Sequence, residues 1–423
     1  MTIILTLGAM FGLLLMRVPV AFALGGLGLA MLVLGGFSPL MAPQAVLSTL
    51  DGFILLAVPL FLLMSNILLR AGVGNDLFAA VSAWVGHWPG GLAVATILSC
   101  GVFAAISGSS VATAATIGTV AIPEMINRGY NKKFVYGLLA AGGTLGILIP
   151  PSIPMIIYGF VTEESVISLF LAGIGPGIAL LVFFIIFSMI YARLGGQERE
   201  AKQGWDQRRR ATLRALPAVV LAVLIISGIY SGAFTPTEAA AIGFAASLII
   251  TGPIMRVLTW DAFKKAVFDS MATTVAILLI IAGAKIFGKA ITLYRIPQDI
   301  SVMITQGIDT ELGFILIVTA VLLVMGLVFE ALSMVLIMTP VLLPAALVLG
   351  FDPIWFGVYM VIMVECALIT PPVGLNLYVI QSVAKARLGE VASGVAPFLI
   401  LMFACAALLY LWHDLALYIP FKM

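Results

Sequence analysis

The 423-residue chain is 62% hydrophobic and 9% charged, with a formal net charge of +2. That composition excludes an ordinary soluble globule, in which about a quarter of the residues are charged, and the small net charge gives no basis for binding nucleic acid. Cys100, Cys366 and Cys405 lie far apart in apolar stretches and His87 and His413 stand alone, so neither a disulfide framework nor a metal site is indicated.

Apolar runs longer than about 18 residues recur along the chain, the signature of a polytopic helical membrane protein. The short alternating segments of a β-barrel are absent. In chain order the predicted spans are 2–16, 19–36, 51–70, 133–160, 166–192, 214–231, 237–255, 266–290, 353–381 and 391–412. The first of them lacks a basic start and a clear small-residue cleavage site, so it reads as a retained span rather than a signal peptide. Trp84, His87 and Trp88 with the following "PGG" mark an interfacial arm helix, since tryptophan favours that depth. The apolar blocks 91–125 and 312–348 are interrupted near their middles by "SGSSVAT" (107–113) and "FEALSM" (329–334), and each reads as a re-entrant hairpin. "TPTE" at 235–238 has Thr at an N-cap, Pro at N1 and Glu at N3, a capping box that starts a helix. The expected fold is an all-α polytopic membrane protein of about ten transmembrane helices plus two re-entrant hairpins.

Two spans are broken. "GILIPPSIPMIIYG" (146–159) and "ALITPPVGLN" (367–376) carry adjacent prolines, each lacking an N–H and clashing with the preceding turn. Broken backbone at membrane depth is tolerated only inside protein or beside a cavity. On this map seventeen of the 21 Lys and Arg residues, among them Arg70, Arg128, Lys132, Lys133, Arg193, Arg199, Arg256, Lys264 and Lys265, fall on one side. The positive-inside rule makes that side cytoplasmic and both termini external. Only Lys285, Lys289, Arg295 and Lys422 lie elsewhere. Reading either block as a simple span would disturb this bias, which favours hairpins.

The halves of the chain repeat. Pro123 and Pro344, Gly129 and Gly350, and the proline pairs at 150 and 371 are each separated by 221 residues. Gap-free matching of this kind indicates an internal repeat. "RGYNKK" (128–133) maps to the cytoplasmic side and its mate "GFDPIWF" (350–356), without Lys or Arg, to the other. The copies are therefore inverted, and inverted repeats with matching helix breaks characterise secondary transporters.

The motifs "GHWPGGLA", "FAAISGSSVATAATIG", "GILIPPSIPMIIYG", "GAFTPTEAAAIG", "LIMTPVLLP" and "LITPPVGLNLYV" resemble the large membrane subunit of tripartite ATP-independent periplasmic (TRAP) transporters, over nearly the whole chain. The resemblance implies a non-enzymatic, Na⁺-driven, elevator-type importer of organic acid anions in the bacterial inner membrane. Its implied partners are a small four-helix membrane subunit and a soluble periplasmic substrate-binding protein. Some members fuse both membrane subunits, and this chain looks like the unfused large one. The motifs look closest to four-carbon dicarboxylate members, with sialic acid and other sugar acids open.

On that reading, 1–70 and 161–265 are scaffold, 71–160 and 266–390 are the two transport-domain repeats, and 391–423 holds the C-terminal helix. The expected Na⁺ ligands are Ser107, Gly108, Ser109, Ser110, Gly142, Thr144, Pro150, Glu330, Thr370, Pro371 and Gly374. The expected substrate contacts are Ser109, Pro151, Ser152, Pro372 and Asn376. Serine hydroxyls and freed carbonyls supply the oxygen that Na⁺ prefers. The small tip residues equally suit a tight turn between helices, and Asn376 suits an interhelical hydrogen bond as well as a ligand. Glu330 and Glu365 lie in membrane segments, where a charge costs about 2.5–3.5 kcal/mol on insertion scales. Glu365 has three open roles: binding a proton, tuning a Na⁺ site, or pairing with a base such as Lys285. A channel would need a continuous pore and no delivering partner. An integral-membrane enzyme would need a convergent His, Cys or acid pair, and the sequence shows none.

Overall fold

The computed structural model describes residues 2–196, 201–307 and 310–422, so Arg199 lies outside the described residues. The first quarter of the chain forms α1 (Thr2–Leu15), α2 (Val20–Leu34), α3 (Met41–Leu50), α4 (Ala57–Arg70), α5 (Val73–Val85) and α6 (Gly91–Ser107). Then come α7 (Ser110–Asn127), α8 (Lys132–Leu148), α9 (Ile153–Thr162), α10 (Val166–Leu194), α11 (Trp205–Tyr230) and α12 (Pro236–Ile249). The remainder is α13 (Trp260–Leu293), α14 (Ile296–Gly307), α15 (Glu311–Met325), α16 (Ala331–Val348), α17 (Pro353–Leu368), α18 (Leu375–Ala384), α19 (Leu388–Leu411) and α20 (Asp414–Lys422). Among the described residues, seven helices are long and apolar enough to cross a bilayer. The pair α8–α9, bent by 41° at its break, makes an eighth.

Each predicted span coincides with a helix or with a pair split at a proline break. The capping box forms as read: the Thr235 N–H donates to Glu238 Oε2 at 2.8 Å, the Glu238 N–H donates to Thr235 Oγ1 at 3.3 Å, and α12 starts at Pro236. Two helix starts lie well upstream of those predicted, and the span expected from 266 begins at Trp260. The helix predicted to start at 214 begins at Trp205, because Gln, Arg and Ala are good helix formers whose long side chains stay helical outside the apolar layer. There Trp84 Nε1 donates to Thr212 Oγ1 at 2.9 Å and the Arg208 guanidinium lies 5.2 Å over the Trp84 ring. The interfacial arm α5 is thereby tied to the polar end of α11.

The hairpins are re-entrant by their contacts. Gly90, entering α6, packs so tightly on the Ser188 carbonyl and Ala192 that an added Cβ would come within 2.9 Å of both. At the exit of α7, Tyr130 stacks on Phe134 at 6.4 Å, and Phe134 stacks on Tyr191 at 4.1 Å. Both limbs of the first hairpin therefore open at the end of the molecule where α8 starts and α10 finishes. Its tip reaches the first break: a Cβ on Gly108 would sit 2.6 Å from the Pro151 carbonyl oxygen. The second hairpin repeats this at its own end. Phe314 on α15 lies 5.9 Å from Phe351, which follows α16, and Phe351 stacks at 5.1 Å on Trp355 of α17. Its tip reaches α17 beside the second break, where a Cβ on Gly326 would sit 2.2 Å from that of Ala367.

The two ends are opposite. Tyr158 Oη, near the finish of α9, donates to the Pro353 carbonyl at the start of α17 across 2.7 Å. Conversely, a Cβ on Gly394 early in α19 would lie 1.9 Å from the Lys133 carbonyl oxygen at the start of α8. The broken helices thus run antiparallel, each beginning where the other finishes. The repeat spacing of 221 recurs in detail: α7 and α16 share it at both ends, as do Gly129 and Gly350 with φ +78° and +88°. Asn131 and Asp352 likewise both cap helices, accepting from the N–H two residues on at 2.9 and 2.8 Å.

Outside the hairpins, α13 packs along α2, α3 and α4. Small residues permit this approach, since a Cβ on Gly28 would meet the Phe287 backbone nitrogen at 2.7 Å. One end of the α4–α13 pair is closed by the Arg70–Asp269 ion pair and by Asn66 Nδ2 donating to Ser270 Oγ at 2.9 Å.

Candidate functional site

Both hairpin tips and both helix breaks line one cavity of about 470 Å³. The first tip contributes Gly108, Ser109 and Ser110, the second Glu330 and Ala331, and the breaks Pro154, Leu368 and Leu375. The opposite wall is Ser65 and Asn66 of α4 with Thr273 and Ile277 of α13. Ser109 and Glu330 are repeat mates, each the N-cap of the second limb of its hairpin.

The helix ends define the local field. α7, α9, α16 and α18 begin at the tips and breaks, and α6, α8, α15 and α17 finish there. Each start presents backbone N–H groups and the positive end of a helix dipole, which favours an anion. Each finish presents carbonyls without intrahelical partners, which favour a cation. Anion and cation can therefore share one level of the molecule without a cluster of charged side chains.

Side chains refine this. Ser107 Oγ and Thr113 Oγ1 are 2.8 Å apart, and Thr113 donates to the Ser109 carbonyl at 2.9 Å. Ser107 is thus committed to the turn, whereas among the described residues the Ser109 hydroxyl takes part in a long 3.4 Å capping bond from the Ala112 N–H and faces the cavity. Gly108, at φ +60°, makes the turn possible. Glu330 is exposed to the cavity, and its Oε1 accepts from Ser333 Oγ at 3.4 Å.

The other predicted ligands lie behind this wall. Gly142 faces Cys100. Thr144 Oγ1 donates to the Ala141 carbonyl and Thr370 Oγ1 to the Cys366 carbonyl, both at 2.6 Å. Ser152 caps α9 through the Met155 N–H at 3.4 Å. Pro150 and Pro151 are buried, whereas Pro371 and Pro372 are exposed, and Gly374 is buried at φ +47° before α18. Asn376 is fully buried, donating to the Ala140 carbonyl at 3.4 Å, while its Oδ1 has no hydrogen-bond partner among the described residues. Glu365 is also fully buried. Ser110 lies near its carboxyl group, yet neither carboxyl oxygen has a hydrogen-bond partner among the described residues. It does not pair with Lys285, whose Nζ sits 4.6 Å over the Phe160 ring.

Sequence reasoning missed the α4–α13 wall. Asn66 was legible as an isolated amide in an apolar span, a placement that signals a cavity or a helix contact. Thr273 carried no comparable signal.

Residues 7–415 match the family described as "Tripartite ATP-independent periplasmic transporter, DctM component". The chain is 40% identical over 357 residues to the C4-dicarboxylate TRAP transporter large permease protein of Pseudomonas aeruginosa, covering 84% of this chain and 83% of that one. It is 32% identical over 410 residues to the sialic acid TRAP transporter large permease protein of Vibrio cholerae, covering 97% and 96%. Among solved structures, the YdaH transporter of Alcanivorax borkumensis shares the fold with a TM-score of 0.50 at 14% identity, over 89% of this chain and 88% of that one. The chain is a multi-pass membrane protein, and it belongs to the DctM family as a TRAP transporter large permease subunit.

Proposed function

We propose that this subunit imports an organic acid anion, a four-carbon dicarboxylate first among the candidates, by Na⁺-driven alternating access in the inner membrane. The observation that carries the reading is the meeting of four helix starts and three helix ends around one cavity, with the end of α15 beside it. A carboxylate is held by N–H groups at the starts, with Ser109 beside it, and Na⁺ by carbonyls at the ends. Glu330 adds negative charge near the second tip. A relative bearing a C4-dicarboxylate name and another bearing a sialic acid name support an acid substrate.

The hairpins and broken helices form the moving body in this reading, and α1–α4 with α11–α12 the scaffold, bridged by α5 and α13. On the scaffold side the cavity is lined by Asn66 and Leu69 of α4 and Thr273 of α13. These lie toward the Arg70–Asp269 end that positive charge assigns to the cytoplasm, which supports reading this state as inward-facing. Outward movement of the tips along α13 would carry the cavity across, with both termini external. The small membrane subunit braces the scaffold, and a periplasmic binding protein delivers the acid.

Proteoliposomes test this. The chain with its small subunit and a dicarboxylate-loaded binding protein should accumulate the acid under an inward Na⁺ gradient, and the chain alone should take up almost none. Ser109→Ala should raise the Na⁺ concentration for half-maximal uptake several-fold, roughly what losing one ligand costs. Equal uptake under a K⁺ gradient would refute Na⁺ coupling. Robust uptake by the chain alone would refute the need for partners.

A further inference from the structure

A second cavity of about 480 Å³ lies farther along the same seam. It shares three walls with the first. On α13, Thr273 and Ile277 line the first cavity and Ile281, Lys285 and Lys289 the second, a four-residue spacing that keeps them on one helix face. On α16, Ala331 and Leu332 give way to Leu336 and Pro340, and on α9, Pro154 gives way to Val161. The two cavities are stacked along one seam between α9, α13 and α16, separated by about one turn of α13.

The outer cavity is apolar apart from Ser48, Thr292 and its two lysines. Ser48 Oγ and Thr292 Oγ1 already donate to the Ala45 and Gly288 carbonyls, which leaves the lysines as its cationic donors. Neither lysine forms an ion pair among the described residues. Lys285 is half-buried over Phe160, within electrostatic reach of Glu163 and Lys289, and Lys289 is exposed. Lys265, at the charged end of α13, is 20 residues from Lys285, about 30 Å along a helix and one hydrocarbon thickness. The lysine pair therefore marks the external end of the seam, opposite the side that collects nearly all other positive charge.

We propose that the Lys285–Lys289 cavity is an entry site that captures the carboxylate of the incoming acid before it reaches the hairpin tips. Two ammonium groups at the mouth of a low-dielectric cleft raise the local concentration of anions. The cavity is large enough for a small organic acid, and its polar groups lie on the one helix that also lines the inner site. An anionic lipid headgroup offers the same chemistry from another source. The lysines lie on the same face of α13 that lines the inner site one turn away, and this favours the acid.

The inference rests on organic acid uptake by this protein, and two measurements separate the claims. In the complete transport system, K285Q/K289Q should raise the KM for uptake about tenfold with Vmax within about twofold, and K285R/K289R should restore it. The shift should be the same in purely zwitterionic liposomes and in liposomes with anionic lipid. An unchanged KM, or a shift seen only with anionic lipid, would overturn the proposal. Independently of transport, succinate should slow modification of Lys285 and Lys289 by an amine-reactive reagent in the assembled membrane subunits, and its dimethyl ester should not. Equal rates with both would overturn the entry site even if uptake were intact. A wild-type system that protects these lysines without moving any acid would instead fault the uptake reading.

Discussion

At the scale of single residues, glycine contacts and buried polar groups make the firmest predictions. Gly394 lies against the Lys133 carbonyl, and Gly137 would place a Cβ 2.0 Å from the Gly394 carbonyl oxygen. Gly394→Ala should therefore force α8 and α19 apart and cost about 1–3 kcal/mol. That loss is readable as a lower unfolding temperature in detergent. Gly12→Ala is the control: nothing lies within 4 Å of its Cβ position, so stability should hold or rise slightly. Glu365→Gln should leave abundance and unfolding temperature unchanged or improved, because among the described residues the carboxyl group has no counter-ion and neither oxygen has a hydrogen-bond partner, and the amide keeps its volume beside Ser110. A marked drop in thermal stability would show that the carboxylate makes a contact in the membrane that the free chain lacks. Ser109 and Glu330 were legible in the sequence because polar residues in the middle of an apolar block stand out. Thr144 and Thr370 stood out equally, yet each hydroxyl bonds to its own helix. Sequence cannot separate a cavity-facing hydroxyl from one that back-bonds within a turn.

Among elements, those with hard punctuation were readable. Proline pairs located both breaks, "TPTE" located the start of α12, and the 221-residue repeat aligned α7 with α16 and α8 with α17. The unforeseen elements are short or polar: α3 has 10 residues, α20 has 9, and the first turns of α11 are rich in arginine. Such segments carry no long apolar run, and their helicity comes from packing beside larger neighbours. Helix starts with side-chain caps should respond individually. Thr235→Ala removes both the hydroxyl that accepts from the Glu238 N–H and the bond between the two side chains. It should destabilise the protein by about 1 kcal/mol, measured as a shift in thermal unfolding. Substituting Ser48, whose hydroxyl only back-bonds to Ala45, should have a smaller effect on stability.

At the scale of the whole molecule, two antiparallel copies of one broken-helix unit meet at one cavity. The contacts from Tyr158 to Pro353 and from Gly394 to Lys133 fix that arrangement within the protein. The distribution of lysine and arginine orients it in the membrane. Single cysteines at Asn131 and Asp352, the repeat-related helix caps, test both together. Cys100, Cys366 and Cys405 are buried, so the native thiols should give little background. Treated in intact cells with a membrane-impermeant thiol reagent, Asp352→Cys should label and Asn131→Cys should not. In inside-out vesicles the pattern should reverse. Labelling of both positions from the same side would contradict the inverted architecture and the alternating-access mechanism built on it.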